Sequence, residues 1–157
     1  MDIRFAIITC SDTRSIEEDT AGQALASLVR SNGWTLASHV VVKDDRETIA
    51  AAIVEAADAI HADVVLTCGG TGLSLRDVTP EATQDACERN VPGIAEAMRA
   101  YSLQKTPRAM LSRAVCMQRG STLVINLPGS EKAARENWEA IEGQLDHAVK
   151  MTAGGGH

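Results

Sequence analysis

Two acidic residues far apart in the chain, Asp44 and Asp77, and the glycine-rich segment beside the second carry the chemistry of this sequence. The segment runs Thr67-Cys68-Gly69-Gly70-Thr71-Gly72-Leu73-Ser74-Leu75-Arg76-Asp77-Val78-Thr79-Pro80-Glu81. Its glycines permit positive φ and close approach of a ligand. Thr79 suits a helix N-cap and Pro80 a first helical residue. The unpaired N–H groups of a helix start favour an anion. Gly-Gly-x-Gly alone is equally a turn; it is not followed by the Gly-Lys-Ser/Thr of a P-loop and lacks the dinucleotide spacing. Asp77 alone could be a turn residue, and Asp44, with Glu47 three residues on, could cap a helix. Both follow predicted strands, however, and one or two carboxylates completed by substrate phosphates are a common way to hold Mg²⁺.

The elements that must position these residues are legible from apolar patterning. Ile3–Thr9, Leu36–Val42 and Asp63–Thr67 read as buried strands. Between them lie two helices, one with Leu25, Leu28 and Val29 on a face and Asn32-Gly33 as its stop, the other starting at Asp44 with Ile49, Ile53 and Ile60 on one side. This alternation predicts an α/β three-layer sandwich with a mainly parallel central sheet and helices on both faces. Ligands of such sheets sit beyond the carboxyl ends of the strands. Ser11–Arg14, Lys43–Asp45 and Gly69–Pro80 leave those ends and are expected to converge.

After Pro80 two helical stretches follow, separated by Val91-Pro92-Gly93, with Ile94, Met98 and Tyr101 on the inner face of the second. Arg113–Met117 and Thr122–Leu127 read as strands joined by Gln118-Arg119-Gly120-Ser121, one antiparallel hairpin. A last helix begins near Ser130 and buries Trp138, Ile141, Leu145 and Val149. A single domain over residues 1–152 is expected, with residues 153–157 a disordered tail.

Composition narrows the function classes. The chain has 157 residues, 45% apolar and 23% charged, with only 3% aromatic, so an aliphatic core is expected. A net charge of −6 argues against a general nucleic-acid binder. No run approaches the roughly 20 apolar residues of a membrane span, and Met1-Asp2-Ile3-Arg4 does not start a signal peptide, so a cytoplasmic protein is expected. Cys10, Cys68, Cys87 and Cys116 form no CxxC pair and read as buried free thiols.

Several separated blocks together resemble the MogA/MoaB molybdopterin-binding family, which includes the gephyrin G domain. They are Ser11-Asp12, Asp19 with Gly22, Gly69–Gly72, Arg76-Asp77-Val78-Thr79-Pro80-Glu81-Ala82, Leu111-Ser112-Arg113 and Ile125-Asn126-Leu127-Pro128-Gly129-Ser130 with Lys132-Ala133. The resemblance spans about Ile3 to Met151. Ala21, Lys43 and Glu131 depart from the common Ser, Pro and Pro of relatives, and no matched carboxylate is lost.

The resemblance implies the molybdenum-cofactor biosynthesis fold and a molybdopterin adenylyltransferase, in which the terminal phosphate of molybdopterin attacks the α-phosphate of ATP and pyrophosphate leaves. It makes Asp44 and Asp77 the essential acids, positioning Mg²⁺ and phosphate. Gly69, Gly70, Thr71 and Gly72 would offer backbone N–H groups. Ser112, Pro128, Gly129 and Ser130 would line the pterin and phosphate end, with Lys132 nearby; Ser11, Asp12, Arg76, Thr79 and Glu81 are the other matched substrate contacts. Pro128-Gly129-Ser130 is also readable as a turn with a Ser cap, and Arg76 and Arg113 as surface charges. Relatives imply a homotrimer and contact with the molybdate-inserting enzyme. The competing readings are a non-catalytic molybdopterin carrier, a nucleotide hydrolase like the competence-damage proteins, and a dinucleotide oxidoreductase. The last would need a glycine fingerprint where Cys10-Ser11-Asp12-Thr13 stands.

Overall fold

The structure, a computed structural model, describes residues 1–155. Six strands form one sheet in the order β2-β1-β3-β6-β5-β4. Strands β1 (Arg4–Cys10), β2 (Thr35–Val42), β3 (Val64–Cys68) and β6 (Thr122–Leu127) run parallel. β5 (Cys116–Arg119) pairs antiparallel with β6 and with the two-residue β4 (Arg89–Asn90). The parallel sheet with one hairpin is therefore as expected. The hairpin turn is tighter than the sequence reading, because Arg119 pairs directly with Thr122 across Gly120-Ser121.

The period of two in the strands divides the core. Phe5, Ile7, Leu66, Ile125 and Leu127 point to a layer formed by α1 (Thr20–Ser31), α4 (Pro92–Leu103) and α5 (Glu131–Thr152). Ala6, Ile8, Val65 and Val124 point to the opposite layer, α2 (Arg46–Asp58) and α3 (Thr79–Ala86). The first layer is not purely aliphatic. Phe5, Trp34 and Trp138 gather with ring centroids 5.3 to 6.1 Å apart, and Trp138 Nε1 donates to Glu142 at 2.6 Å. All four cysteines are free, three of them buried and Cys87 half-buried.

Several boundaries differ from the sequence reading for identifiable reasons. Helix α2 is capped by Asp45, whose carboxylate accepts from Thr48 N at 2.9 Å, rather than by Asp44. It ends at Asp58, so Ile60 lies beyond it. Helix α3 is capped by Val78 without a side-chain bond, and Thr79 is already inside. The strand expected from Arg113 begins at Cys116, because the preceding carbonyls are taken by a side chain: Arg99 Nη1 donates to Ala114 O at 2.8 Å and Ser112 O at 3.5 Å. β4 and a 3-10 turn over Pro107–Leu111 are too short for periodicity to reveal. Of the expected tail, Gly154 and Gly155 close α5, their N–H groups donating to Met151 O and Lys150 O at 2.9 Å. Gly156 and His157 lie outside the described residues.

Candidate functional site

Three strand ends are drawn together by glycines. Gly69 leaves β3 with φ +96°, its N–H donating to Leu127 O at 2.9 Å. A Cβ on Gly69 would stand 2.8 Å from the Cys10 carbonyl oxygen, and one on Gly129 would stand 3.2 Å from Gly69 Cα. Only glycine lets β1, β3 and the segment after β6 approach this closely. Arg14 ties the same crossing from above, donating to Gly129 O at 3.1 Å.

The two acids face this glycine loop. A Cβ on Gly70 would lie 3.5 Å from Asp44 Oδ1, and one on Gly72 would lie 2.9 Å from Asp77 Oδ2. Asp44 is free for the site because Asp45 does the capping. Its backbone N–H donates to Asp12 Oδ1 at 3.0 Å. Asp77 also serves its turn, Oδ2 accepting from Ser74 N at 3.1 Å. Burial, the charge of Asp12 and the charge of Asp77 all raise the Asp44 carboxyl above its ordinary range, against the opposing Asp12 contact and the nearby Arg76. An acid strained in this way is relieved by a cation. Among the described residues no three His, Cys, Asp or Glu side chains form a closed metal cage; a Mg²⁺ ion held by one or two carboxylates completes its shell with water and phosphate oxygens.

The arginines divide into distinct tasks. Arg76 is largely exposed and its guanidinium pairs with Asp12, whose carboxyl is held low first by that bond and then by the Asp44 N–H. Arg113 turns inward: its Nε donates to Gly72 O at 2.8 Å, Nη2 to Asp77 O at 2.7 Å, and Nη1 to Glu81 Oε2 at 2.6 Å. Glu81 accordingly spends its carboxylate on Arg113, which lowers its pKa.

Two clefts border the loops that carry the acids, although neither Asp44 nor Asp77 itself lines them. One, of about 280 Å³, is walled by Thr71, Gly72, Ser112 and Pro128 and by Arg99, Ser102 and Asn137 from α4 and α5. The other, open and of about 510 Å³, is walled by Ser11, Asp12, Arg14 and Lys43 with Val40–Val42. Ser130 lies outside both clefts and caps α5, accepting from Ala133 N at 3.3 Å. Lys132 is exposed and lines neither cleft. Thr79 is fully buried, its Oγ1 lacking a hydrogen-bond partner and sitting where a Gly70 Cβ would be. The helix residues Arg99, Ser102 and Asn137 escaped the sequence reading. Ser102, a buried hydroxyl one turn after Met98 on an apolar face, was the visible trace of that wall.

A buried node underlies the second cleft. Asp19 caps α1 and accepts from Gly22 N at 2.9 Å, Thr9 Oγ1 at 2.5 Å and His39 Nε2 at 2.7 Å. Burial would raise its carboxyl, but the bonds from His39, Thr9 and Gly22 outweigh it and hold it low. The node joins the end of β1, the middle of β2 and the start of α1, closing the loop that carries Ser11, Asp12 and Arg14.

Residues 6–147 match the family described as a probable molybdopterin binding domain. The chain is 35% identical to the molybdopterin adenylyltransferase of Helicobacter pylori over 156 residues, 97% of this chain and 89% of that protein. It is 40% identical to molybdenum cofactor biosynthesis protein B of Bacillus anthracis over 136 residues, 85% of this chain and 80% of that one. Among solved structures, the molybdopterin biosynthesis enzyme MoaB of Thermus thermophilus superposes with a TM-score of 0.89 at 42% identity, covering 98% of each chain.

Proposed function

The chain belongs to the molybdopterin-binding domain family, and on that premise we propose that it is a molybdopterin adenylyltransferase of molybdenum cofactor biosynthesis. It is a nucleotidyltransferase with molybdopterin and ATP as substrates. The observation that carries this reading is the placement of Asp44 and Asp77 against Gly70 and Gly72, with Lys43 beside the first acid lining one cleft and Gly72 against the second lining the other. A two-substrate transfer needs two pockets that meet at the reacting atoms. The walled cleft beside Thr71, Ser112 and Pro128 takes the pterin; the open cleft beside Ser11, Asp12 and Lys43 takes the nucleotide.

An oxygen of the molybdopterin phosphate forms a bond to the α-phosphorus of ATP as the bond to the β-phosphate oxygen breaks, and pyrophosphate leaves. The attacking phosphate is already largely ionised at neutral pH, so no general base is required. This chain's work is alignment and charge control. Asp44 and Asp77 would hold Mg²⁺, which when bound neutralises phosphate charge. The pair fits that ion, being two carboxylates that leave further positions to substrate oxygens, and the raised carboxyl of Asp44 gives it a reason to bind one. The Gly69 N–H, expected to face substrate, is spent on Leu127 O; the backbone N–H groups of Gly70, Thr71 and Gly72, with Arg14, Arg76 and Lys43, supply further positive potential in a chain of net charge −6.

We also propose a single domain over residues 1–152, a cytoplasmic location and a homotrimer able to meet the molybdate-inserting enzyme. Among the described residues no helix is long and apolar enough to cross a membrane. Leu73 and Leu75 stand 64% and 98% exposed on the site loop, apolar surface available to another subunit or partner. Sedimentation equilibrium tests the trimer. Incubation with Mg-ATP and molybdopterin, followed by mass spectrometry, tests the activity: the expected product is adenylylated pterin with stoichiometric pyrophosphate. A carrier would retain the pterin unmodified, and a hydrolase would release phosphate or AMP without it.

A further inference from the structure

We propose that Arg113 is a positioning residue for adenylyl transfer, one that sets Asp77 through the backbone of the glycine loop without touching substrate. This rests on the adenylyltransferase reading of the site. Arg113 reaches across the fold to two carbonyls of one loop and a carboxylate of the helix that follows it: Gly72 O, Asp77 O and Glu81, 41, 36 and 32 residues away. The guanidinium supplies donors in a rigid fork, so one side chain holds three acceptors in a fixed relation. Glu81, already in helix α3, orients the fork; the two carbonyls belong to the segment that presents Asp77. Asp77 and Gly72 are neighbours in space as well, through Asp77 Oδ2.

The main chain of the same residue has a different duty. Arg113 N donates to Thr71 O at 2.8 Å, which fixes the wall of the pterin cleft next to Ser112. That bond survives any side chain at position 113 except proline. The backbone of residue 113 therefore holds the pterin wall, while its side chain holds the acid. The two duties separate experimentally.

Arg113→Gln and Arg113→Lys cannot satisfy three acceptors with one fork. Both are expected to lower kcat by at least about tenfold, since small misplacement of an aligned group is expensive in rate, while the Kd for molybdopterin changes by less than about threefold. Glu81→Gln keeps an acceptor but loses the charge, and should fall between wild type and Arg113→Gln. The double variant Arg113→Gln/Glu81→Gln should be no slower than Arg113→Gln, because the two act as one unit. Amide NMR gives a readout independent of turnover: the Ser74 N–H, bonded to Asp77 Oδ2, should shift in Arg113→Gln, while signals of β1 stay in place. An unchanged kcat, multiplicative losses in the double variant, or an unmoved Ser74 amide overturns the proposal. So does a loss of molybdopterin affinity that matches the loss of kcat. If Arg113→Gln does not fold, a kcat of Glu81→Gln below that of wild type together with a shifted Ser74 amide supports the proposal, and a wild-type kcat or an unmoved amide overturns it. Absence of turnover in the wild type overturns the adenylyltransferase reading, whereas the Ser74 shift still tests the clamp.

Discussion

The backbone N–H of Asp44 donates to Oδ1 of Asp12 at 3.0 Å, fixing the ends of β2 and β1 to each other through an acidic side chain. Asp12 takes Arg76 on its other oxygen. The Asp12–Arg76 pair thus spans from the first strand's loop to the glycine loop, over the place where Asp44 stands. Because Arg76 is largely exposed, its pair with Asp12 is screened by solvent and Arg76→Gln should leave stability nearly unchanged. It should nevertheless raise the KM for ATP several-fold, by removing a cation from a site with an acidic excess. Steady-state kinetics beside urea unfolding separate the two; an unaltered KM would confine Arg76 to a surface role.

Asp44→Ala and Asp77→Ala should each reduce adenylylation by at least about a hundredfold and leave molybdopterin binding within a few-fold of wild type. Product mass spectrometry and fluorescence titration measure the two quantities. Normal turnover in both variants would end the two-acid assignment.

Asp44 also links stability to pH. Its folded carboxyl titrates above its ordinary 3.8, so the folded state binds the proton more tightly than the unfolded chain. Stability therefore falls as pH rises from the unfolded value through the folded one, and the full penalty is present at neutral pH. Asp44→Asn should raise Tm at pH 7, with the gain vanishing below about pH 3.8. Mg²⁺ should raise the Tm of wild type at pH 7 and do less for Asp44→Asn. Differential scanning calorimetry with and without Mg²⁺ reads both effects; an Asn variant less stable at pH 7 would contradict them.

Two glycines make a matched test of the buried node. A Cβ on Gly22 would fall 2.1 Å from Asp19 Oδ2 and 2.5 Å from His39 Nε2, whereas Gly33 has open space and only its φ of +77° to protect. Gly33→Ala should lose about 1–2 kcal/mol. Gly22→Ala should lose about 1–3 kcal/mol by overpacking and, unlike Gly33→Ala, should also raise the KM for ATP by moving the Ser11–Arg14 loop. Equal kinetic behaviour of the two variants would dissociate the node from the site.

The thiols should be silent in the folded protein. Burial pushes Cys10 and Cys116 up to about 12 and half-buried Cys87 up to about 11, and Cys68 is raised further by complete burial. Thiolate is the reactive form, so an aromatic disulfide reagent at pH 7 should label slowly when folded and all four sites at once in urea. Rapid labelling of the native chain would show an open path to one of them.

The layers of this fold were legible because strand and helix periods are local properties of the sequence. Asp44 shows where locality stops. Its neighbour Asp45 is equally able to cap α2, and only the register of the β2 exit decides which residue caps and which faces Gly70. Arg113 shows the same limit more sharply. Its acceptors lie in another part of the chain, so the sequence left it between surface charge and ligand. Ser102 and Asn137 were read as parts of helices, although their polar atoms meet at 3.2 Å on the wall of a cleft. Thr79 looked like a cap because its type suits one, yet Val78 occupies that position and Thr79 is sealed inside.

The crossing of Gly69 between Cys10 O and Gly129 Cα leaves no slack for a methyl group. Remodelling this scaffold for a different pterin therefore has little freedom on the sheet side, where a single added carbon must displace main chain. The tolerant wall is the one supplied by helices, at Ser102 and Asn137, where side chains can be exchanged without moving a strand.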